Sequence, residues 1–209
     1  MKLLFVHGWG FDGSVWDALA THFADCAFWD RGYFGAASEP GKSEAFLAVT
    51  HSFGTMRLFG GPHPGCRGIV AINGFDRFCE GERFPGVQRR AIDRMIARFG
   101  VAPGEVLGEF RSRCGCDEPF GKFDRKLLAE DLVALREGDC REQAAQSGLP
   151  ILSLQGGCDP ILPDAMRGAV FAGAASCERV TLETFGHLLP RQASATCAEA
   201  ISAFMKRLT

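Results

Sequence analysis

The sequence lacks the features by which several classes of protein are recognised. Its 209 residues contain no internal repeat and no low-complexity linker, so we expect a single domain over 1–209. No apolar run approaches the ~20 residues of a membrane span, and KLLFV near the N-terminus is too short for a signal peptide. A formal net charge of −2 gives no sign of a nucleic-acid partner. We therefore expect a cytoplasmic protein with neither a membrane nor a nucleic-acid partner.

Paired cysteines are also missing. The nine cysteines are odd in number and irregularly spaced, and no CxxC pair occurs. Cys114 and Cys116 have no second pair with which to form a zinc site. We interpret the cysteines as reduced thiols in a cytoplasmic protein, and we expect neither a metal nor a cofactor.

The sequence does contain short apolar runs that alternate with helical patterns. Continuous apolar runs of this length suit strands buried on both faces, as in a parallel sheet. The pattern therefore predicts an α/β fold with a mostly parallel central sheet of about six strands. The predicted strands are LLFV (3–6), CAFWD (26–30), FLAVT (46–50), GIVAIN (68–73), PILSLQ (150–155) and ERVTLE (178–183). Helices are predicted from Ser14, with Asp17 completing a capping box, and over 53–60, 163–172 and 192–207.

One long segment interrupts this alternation. No convincing strand occurs over about 82–146, where helical patterns cover 86–99, 103–114 and 126–138. We interpret the segment as a helical lid inserted between two strands, over the ligand-binding edge of the sheet.

Three polar residues follow separate predicted strands in the order Ser52, Asp159, His187. Ligands of open α/β sheets bind beyond the carboxyl ends of the strands, and this order is that of α/β hydrolases. Ser52 alone, in AVTHSFGT, could be an ordinary turn residue, but the ordered set favours a nucleophile. His187 would be its base, and Asp159 would orient and stabilise the imidazole. Asp76, in NGFD after the fourth strand, is the alternative acid.

A serine nucleophile of this kind also needs N–H donors that stabilise the tetrahedral intermediate. The backbone amides of Phe53, after the serine, and of Trp9, in the HGWG turn, are the candidates. His7 is predicted to brace this turn, and His51 to pack away from the serine. Thr50 stands where G-x-S-x-G has its first glycine, so the turn must open slightly or have small neighbours.

These motifs resemble a known family. FVHGWG, HSFG, GGCDPILP and FGHLLP look like the α/β-hydrolase superfamily. Together with FPG (84–86) and LVALREGDCR (132–141), they resemble the pimeloyl-acyl-carrier-protein methyl ester esterases of biotin synthesis. The resemblance implies a serine carboxylesterase that cleaves a methyl ester from an acyl chain held on acyl carrier protein. The alternatives are a small-molecule esterase or thioesterase, and a non-catalytic binding protein on the same fold.

The charge of the predicted lid is consistent with an acidic partner. Seven arginines and three acidic residues give 83–113 a net charge of +4, which leaves −6 for the rest of the chain. Such an asymmetry steers acidic proteins, although a solvated lid face has the same composition. The residues predicted to bind substrate or acyl carrier protein are Arg90, Arg94 and Arg98, spaced four apart on one helix, with Phe110 and Arg111.

Overall fold

The computed structural model describes residues 1–39, 45–61 and 63–208; positions 40–44, 62 and 209 lie outside the described residues. Its strands are β1 (Lys2–Val6), β2 (Cys26–Trp29), β3 (Phe46–His51), β4 (Cys66–Ile72), β5 (Ile151–Gly156) and β6 (Cys177–Leu182). A 3₁₀ turn (Gly13–Trp16) precedes the helices α1 (Asp17–Ala20), α2 (Gly54–Phe59), α3 (Arg89–Val101), α4 (Pro103–Arg113), α5 (Arg125–Glu137), α6 (Arg141–Gln146), α7 (Asp164–Ala169), α8 (Leu189–Gln192) and α9 (Ser194–Leu208).

The six strands form one sheet in the order β2-β1-β3-β4-β5-β6, and every neighbouring pair is parallel. The predicted α/β fold and six-stranded sheet are therefore confirmed. In this order β2 lies on one side of β1 and β3 lies on the other side, so the strand order reverses after β2. The carboxyl ends of β1 and β3 consequently flank the switch point, where open α/β sheets form their ligand crevice.

The burial of each strand corresponds to how apolar its sequence is. The interior strands β1, β3, β4 and β5 are almost wholly buried, since helices cover both faces of the sheet. The edge strands β2 and β6 are only partly buried. Their sequences accordingly admit charged and exposed side chains, such as Glu178 and Arg179 in β6.

Four helices, α3 to α6, lie between β4 and β5. They match the predicted helical insertion, and α3, α4 and α5 overlap the three predicted helices. α3 packs against both α4 and α5. Pro103 begins α4 at a position where its missing N–H leaves no helical hydrogen bond unmade.

The start of the first helix corrects the predicted capping box. Asp12, not Ser14, caps the turn, because its Oδ1 accepts hydrogen bonds from the backbone N (3.0 Å) and the hydroxyl (2.5 Å) of Ser14. An aspartate reaches an amide two residues ahead in this way, and the chain then enters α1 through a 3₁₀ turn.

None of the helices in the described ranges is both long enough and apolar enough to cross a lipid bilayer.

Candidate active site

Ser52 lies in the sharp turn between β3 and α2. Its φ of 54° is in the left-handed region, which is strained for a residue other than glycine. The turn is closed by hydrogen bonds from the Ser52 amide to the Ile72 carbonyl (3.0 Å) and from the Thr55 amide to the Ser52 carbonyl (3.1 Å). A Cβ at Gly54 would lie 2.3 Å from the carbonyl oxygen of Val6, so only glycine lets α2 approach β1 this closely. The turn has the geometry of a nucleophile elbow.

Thr50 is accommodated in this elbow by a specific contact. Its hydroxyl is 2.6 Å from the hydroxyl of Thr55 in α2, and 3.4 Å from the carbonyl of Val70. Gly74 provides the space, because a Cβ there would lie 2.2 Å from Thr55 Oγ1. The hydrogen bond between Thr50 and Thr55, together with the small neighbour Gly74, thus accommodates a threonine where the motif usually has glycine.

The structure brings Ser52, His187 and Asp159 together in one hydrogen-bonded chain. Ser52 Oγ is 3.1 Å from His187 Nε2, and His187 Nδ1 is 2.7 Å from Asp159 Oδ2. The second carboxylate oxygen, Asp159 Oδ1, accepts the amides of Ile161 (2.7 Å) and Leu162 (3.1 Å). His187 is fully buried, and this arrangement is the one that a Ser–His–acid triad requires.

The environment of Asp159 favours its ionised form. Burial opposes ionisation, but the charge and hydrogen bond of His187, with the two backbone amides, lower the pKa of the carboxyl below its ordinary value. Asp76, the alternative acid, is also buried, but its Oδ2 accepts the Phe171 amide at 3.0 Å. Burial raises the pKa of Asp76. The acid hydrogen-bonded to His187 is therefore Asp159.

Two residues hold the backbone of His187 from behind. His51 Nε2 and Asn73 Nδ2 donate to the His187 carbonyl at 3.0 and 2.8 Å. Asn73 Oδ1 also accepts the Gly156 amide at 2.8 Å, which links the ends of β4 and β5. His51 thus contacts the loop that carries His187. Burial, followed by the charge of His187, lowers the pKa of His51 to about 3, so it is neutral at physiological pH.

Sequence reasoning did not identify Asn73 as a site residue. Its contacts join it to residues more than eighty positions away, and these are invisible in a single sequence. The available signal was its position, a polar residue directly after the apolar strand β4. A left-handed φ of 45° there marks the strand end as a second sharp turn.

The HGWG turn lies beside Ser52. A Cβ at Gly8 would lie 3.0 Å from Ser52 Cβ, so glycine allows this close approach. His7 Nδ1 donates to the Gly8 carbonyl (2.9 Å), and His7 Nε2 accepts the amide of Arg31 (2.9 Å). His7 therefore braces the turn, as predicted.

The amides of Trp9 and Phe53, predicted as oxyanion donors, flank Ser52 in the structure. Across residues 1–39, 45–61 and 63–208, neither amide donates a hydrogen bond to a protein acceptor. A buried amide without an acceptor is costly, so two such groups beside a serine point to a position for a ligand oxygen.

A cavity of about 340 Å³ opens onto Ser52 between the sheet and the inserted helices. Its walls are mainly apolar. They include Trp9, Phe75, Ile92, Phe110, Leu132 and Ile161. Such a cavity suits an acyl chain better than a polar ligand. In the part of the chain that is described, no cluster of His, Cys, Asp and Glu side chains could hold a metal ion.

The predicted arginines occupy different environments. Arg90, Arg94 and Arg98 are exposed on α3, and Arg94 and Arg98 reach the cavity lining. Arg98 is held by both carboxylate oxygens of Glu109, at 2.7 and 2.8 Å. Arg90 Nε donates to the Gln88 side chain at 3.0 Å. Arg94 is exposed and lines the cavity, so its charge lies beside the cavity.

Phe110 and Arg111 diverge from each other. Phe110 lines the cavity, where a substrate would contact it. Arg111 is only 9% exposed, and its Nη1 donates to the Gly10 carbonyl at 2.9 Å. Adjacent helical residues point in different directions, and Arg111 points inward, so it lies away from the surface on which the other three arginines are exposed.

The sequence was compared with protein families and with individual known proteins. No protein-family model matches the chain. A pimeloyl-[acyl-carrier protein] methyl ester esterase of Sodalis glossinidius is 26% identical, and the aligned region covers 83% of this chain and 85% of that protein.

Similar solved structures include an esterase from Exiguobacterium antarcticum, with a TM-score of 0.85 at 14% identity over 99% of this chain and 92% of that one. A bromoperoxidase from Bacillus anthracis has a TM-score of 0.81 at 16% identity, over 98% of this chain and 91% of that one. The protein thus adopts the α/β-hydrolase fold, and its sequence resembles that of a pimeloyl-acyl-carrier-protein methyl ester esterase.

Proposed function

We propose that this protein is a serine carboxylic ester hydrolase in which Ser52, His187 and Asp159 form the catalytic triad. The observation that carries the proposal is the unbroken hydrogen-bonded chain from Asp159 through His187 to Ser52. That chain ends at a strained elbow that opens into an apolar cavity.

In the proposed mechanism, Ser52 Oγ attacks the ester carbonyl while His187 Nε2 takes the serine proton. The amides of Trp9 and Phe53 stabilise the oxyanion of the tetrahedral intermediate. The intermediate collapses, His187 returns the proton to the leaving alkoxide, and an alcohol departs. Water, activated by His187, then attacks the acyl-serine and releases the carboxylic acid. Asp159 keeps the His187 imidazole in the required tautomer throughout.

Replacing the nucleophile tests this assignment. Ser52→Ala is expected to abolish hydrolysis of a short-chain p-nitrophenyl ester and labelling by a fluorophosphonate probe, with an unchanged circular dichroism spectrum. A binding protein on this fold would show neither reaction in the wild type. Wild-type turnover that persists in Ser52→Ala would remove Ser52 as the nucleophile.

For the substrate, we propose the methyl ester of a pimeloyl chain carried by acyl carrier protein. Hydrolysis would release methanol and leave the free carboxylate at the far end of the chain. The sequence similarity supports this choice, as do the apolar cavity at Ser52 and the exposed arginines beside it. The helices between β4 and β5 would then act as a lid that encloses the acyl chain. A small-molecule esterase or thioesterase with the same triad is the second candidate, because the cavity itself selects only for an apolar chain.

The arginine row Arg90–Arg94–Arg98 is proposed to dock the acidic carrier protein. Replacing all three with alanine should lower kcat/KM for the carrier-bound ester, most strongly at low ionic strength, because surface charges mainly raise the association rate. Turnover of a small free methyl ester should barely change.

Three basic residues near the amino ends of the strands, opposite the carboxyl ends where Ser52 lies, provide a charge-matched control. Arg67→Ala, Lys206→Ala and Arg207→Ala together remove the same charge near the start of β4 and the end of α9. This variant should retain its rate on the carrier-bound ester. If both triple variants lose the same activity, the effect reflects net charge, and docking through α3 is wrong. Equal loss on both substrates in the α3 variant would instead indicate a role in lid packing.

A further inference from the structure

Arg111 occupies an unusual position for an arginine of an inserted helix. It projects from α4 into the protein, and its Nη1 donates to the Gly10 carbonyl at 2.9 Å. Gly10 directly follows Trp9, the proposed oxyanion donor, and has a left-handed φ of 74°. The bond therefore joins the insertion to the turn on which the proposed oxyanion hole depends.

Aromatic rings enclose the guanidinium group. Its carbon lies 5.0 Å from the ring centre of Phe11, 5.5 Å from that of Phe34 and 5.6 Å from that of Phe120. Its Nη2 donates to Cys116 Sγ at 3.2 Å, and its charge helps to lower the pKa of the exposed Glu118 carboxyl. Cation–π contacts thus hold a buried positive charge whose main polar acceptor is the Gly10 carbonyl.

The rest of the turn is held from other directions. His7 binds the Gly8 carbonyl, and since the Gly8–Trp9 peptide is planar, this bond also sets the direction of the Trp9 N–H. The Trp9 indole donates to the Leu128 carbonyl of α5 at 2.9 Å. His7, which directly follows β1, therefore fixes one end of the turn, and the inserted helices α4 and α5 fix the other.

We infer that Arg111 is a positioning residue for the oxyanion hole: through the Gly10 carbonyl it holds the HGWG turn so that the Trp9 amide faces the carbonyl attacked by Ser52. This inference rests on the proposed esterase function. It assigns to the inserted helices a part in building the active site, in addition to covering the substrate. Losing a whole oxyanion donor costs about 10²–10³-fold in kcat, so a displaced donor should cost roughly 10- to 100-fold.

Arg111→Met, which keeps the apolar stem and removes the donor, tests the inference. We expect kcat for a p-nitrophenyl ester to fall roughly 10- to 100-fold with KM within about threefold, because the oxyanion forms only in the transition state. Affinity for a trifluoromethyl ketone, which adds to the serine as a tetrahedral oxyanion, should fall by a similar factor. Arg111→Lys keeps one donor and should recover most of the loss.

Arg125→Met is the matched control, because Arg125 is another arginine of the insertion that donates to a backbone carbonyl, that of Gly100. It should leave kcat and ketone affinity unchanged. A general loss of stability would lower the melting temperature and the active fraction in any of these variants, but it would not weaken ketone binding in step with kcat.

Gly10→Ala perturbs the other end of the same bond and keeps the test valid if Arg111→Met does not fold. A methyl group there would be strained at this φ and would lie 3.0 Å from Leu107 Cδ1. We expect the same selective loss of kcat, and a double variant no worse than the more damaging single one. Unchanged ketone affinity in Arg111→Met, or a fully additive double variant, overturns the role of Arg111 while the esterase function stands. A wild type inactive on every ester overturns both.

Discussion

At the scale of single residues, Asp159 offers the most direct test of the proposed chemistry. Asp159→Asn preserves the shape of the side chain but favours the wrong His187 tautomer. We expect kcat to fall by roughly 10³–10⁴-fold, with KM little changed, in steady-state ester hydrolysis.

Asp76→Asn is the comparison, since Asp76 is also a buried acid that follows a strand. It binds the Phe171 amide instead of His187, so its substitution should leave kcat within a few-fold of the wild type. A large loss of kcat in Asp76→Asn, together with an active Asp159→Asn, would mean that the acid has been assigned to the wrong strand.

His51 leads to a prediction about pH. Burial lowers its pKa to about 3 in the folded protein, against about 6.5 in an unfolded chain. Between these values the unfolded state binds more protons, so stability rises with pH and is lost as pH falls below about 6.5. This group contributes roughly 1 kcal/mol per pH unit to that slope. Urea unfolding from pH 7.5 to 4.5 should show a shallower pH dependence in His51→Gln than in the wild type; identical slopes would contradict a neutral, buried His51.

At the scale of elements, the junction of β3 and α2 depends on the hydroxyl pair of Thr50 and Thr55. Thr50→Val keeps the shape of the side chain but leaves the buried Thr55 hydroxyl with a poorer partner. We expect a loss of about 1–3 kcal/mol in unfolding free energy, measured by denaturant titration.

Ester hydrolysis should persist in Thr50→Val, because the hydroxyl pair lies behind the elbow and contacts neither His187 nor Asp159. Thr50→Ser, which keeps the hydroxyl, is the matched control and should be closer to wild type in stability. If Thr50→Val is as stable as the wild type, the threonine is merely tolerated at this position.

At the scale of the whole molecule, the distribution of cysteines predicts which thiols react. All nine lie within the described residues and are free, and of these only Cys158 is exposed. Burial raises the pKa of Cys197 to about 12, and burial with the charge of Asp139 raises that of Cys140 to about 11. Native protein treated with Ellman's reagent near pH 7.5 should therefore show one fast phase, from Cys158. Cys158→Ser should remove that phase, and a fast phase that survives would place a reactive thiol elsewhere.

Much of the molecule was predictable because it depends on local patterns. Apolar runs must be buried, so all six strands were located from the sequence, as were the main inserted helices. The order of Ser52, Asp159 and His187 after separate strands was also readable. Parallel strands bring their carboxyl ends to one edge, so residues far apart in sequence were expected to meet there.

The tertiary structure alone decided how side chains are used where partners are distant in sequence. The arginines of 83–113 look alike in the sequence, yet Arg94 faces the cavity mouth, Arg98 pairs with Glu109, and Arg111 turns inward to Gly10. Asn73 likewise acquires a role only when the loop with His187 packs against it. The physical reason is that periodicity and turn chemistry act over a few residues, whereas a hydrogen bond between residues 10 and 111 exists only after the helices dock on the sheet. The sequence therefore determined the scaffold and the order of Ser52, Asp159 and His187 along it, and packing determined which polar groups hold these residues in place.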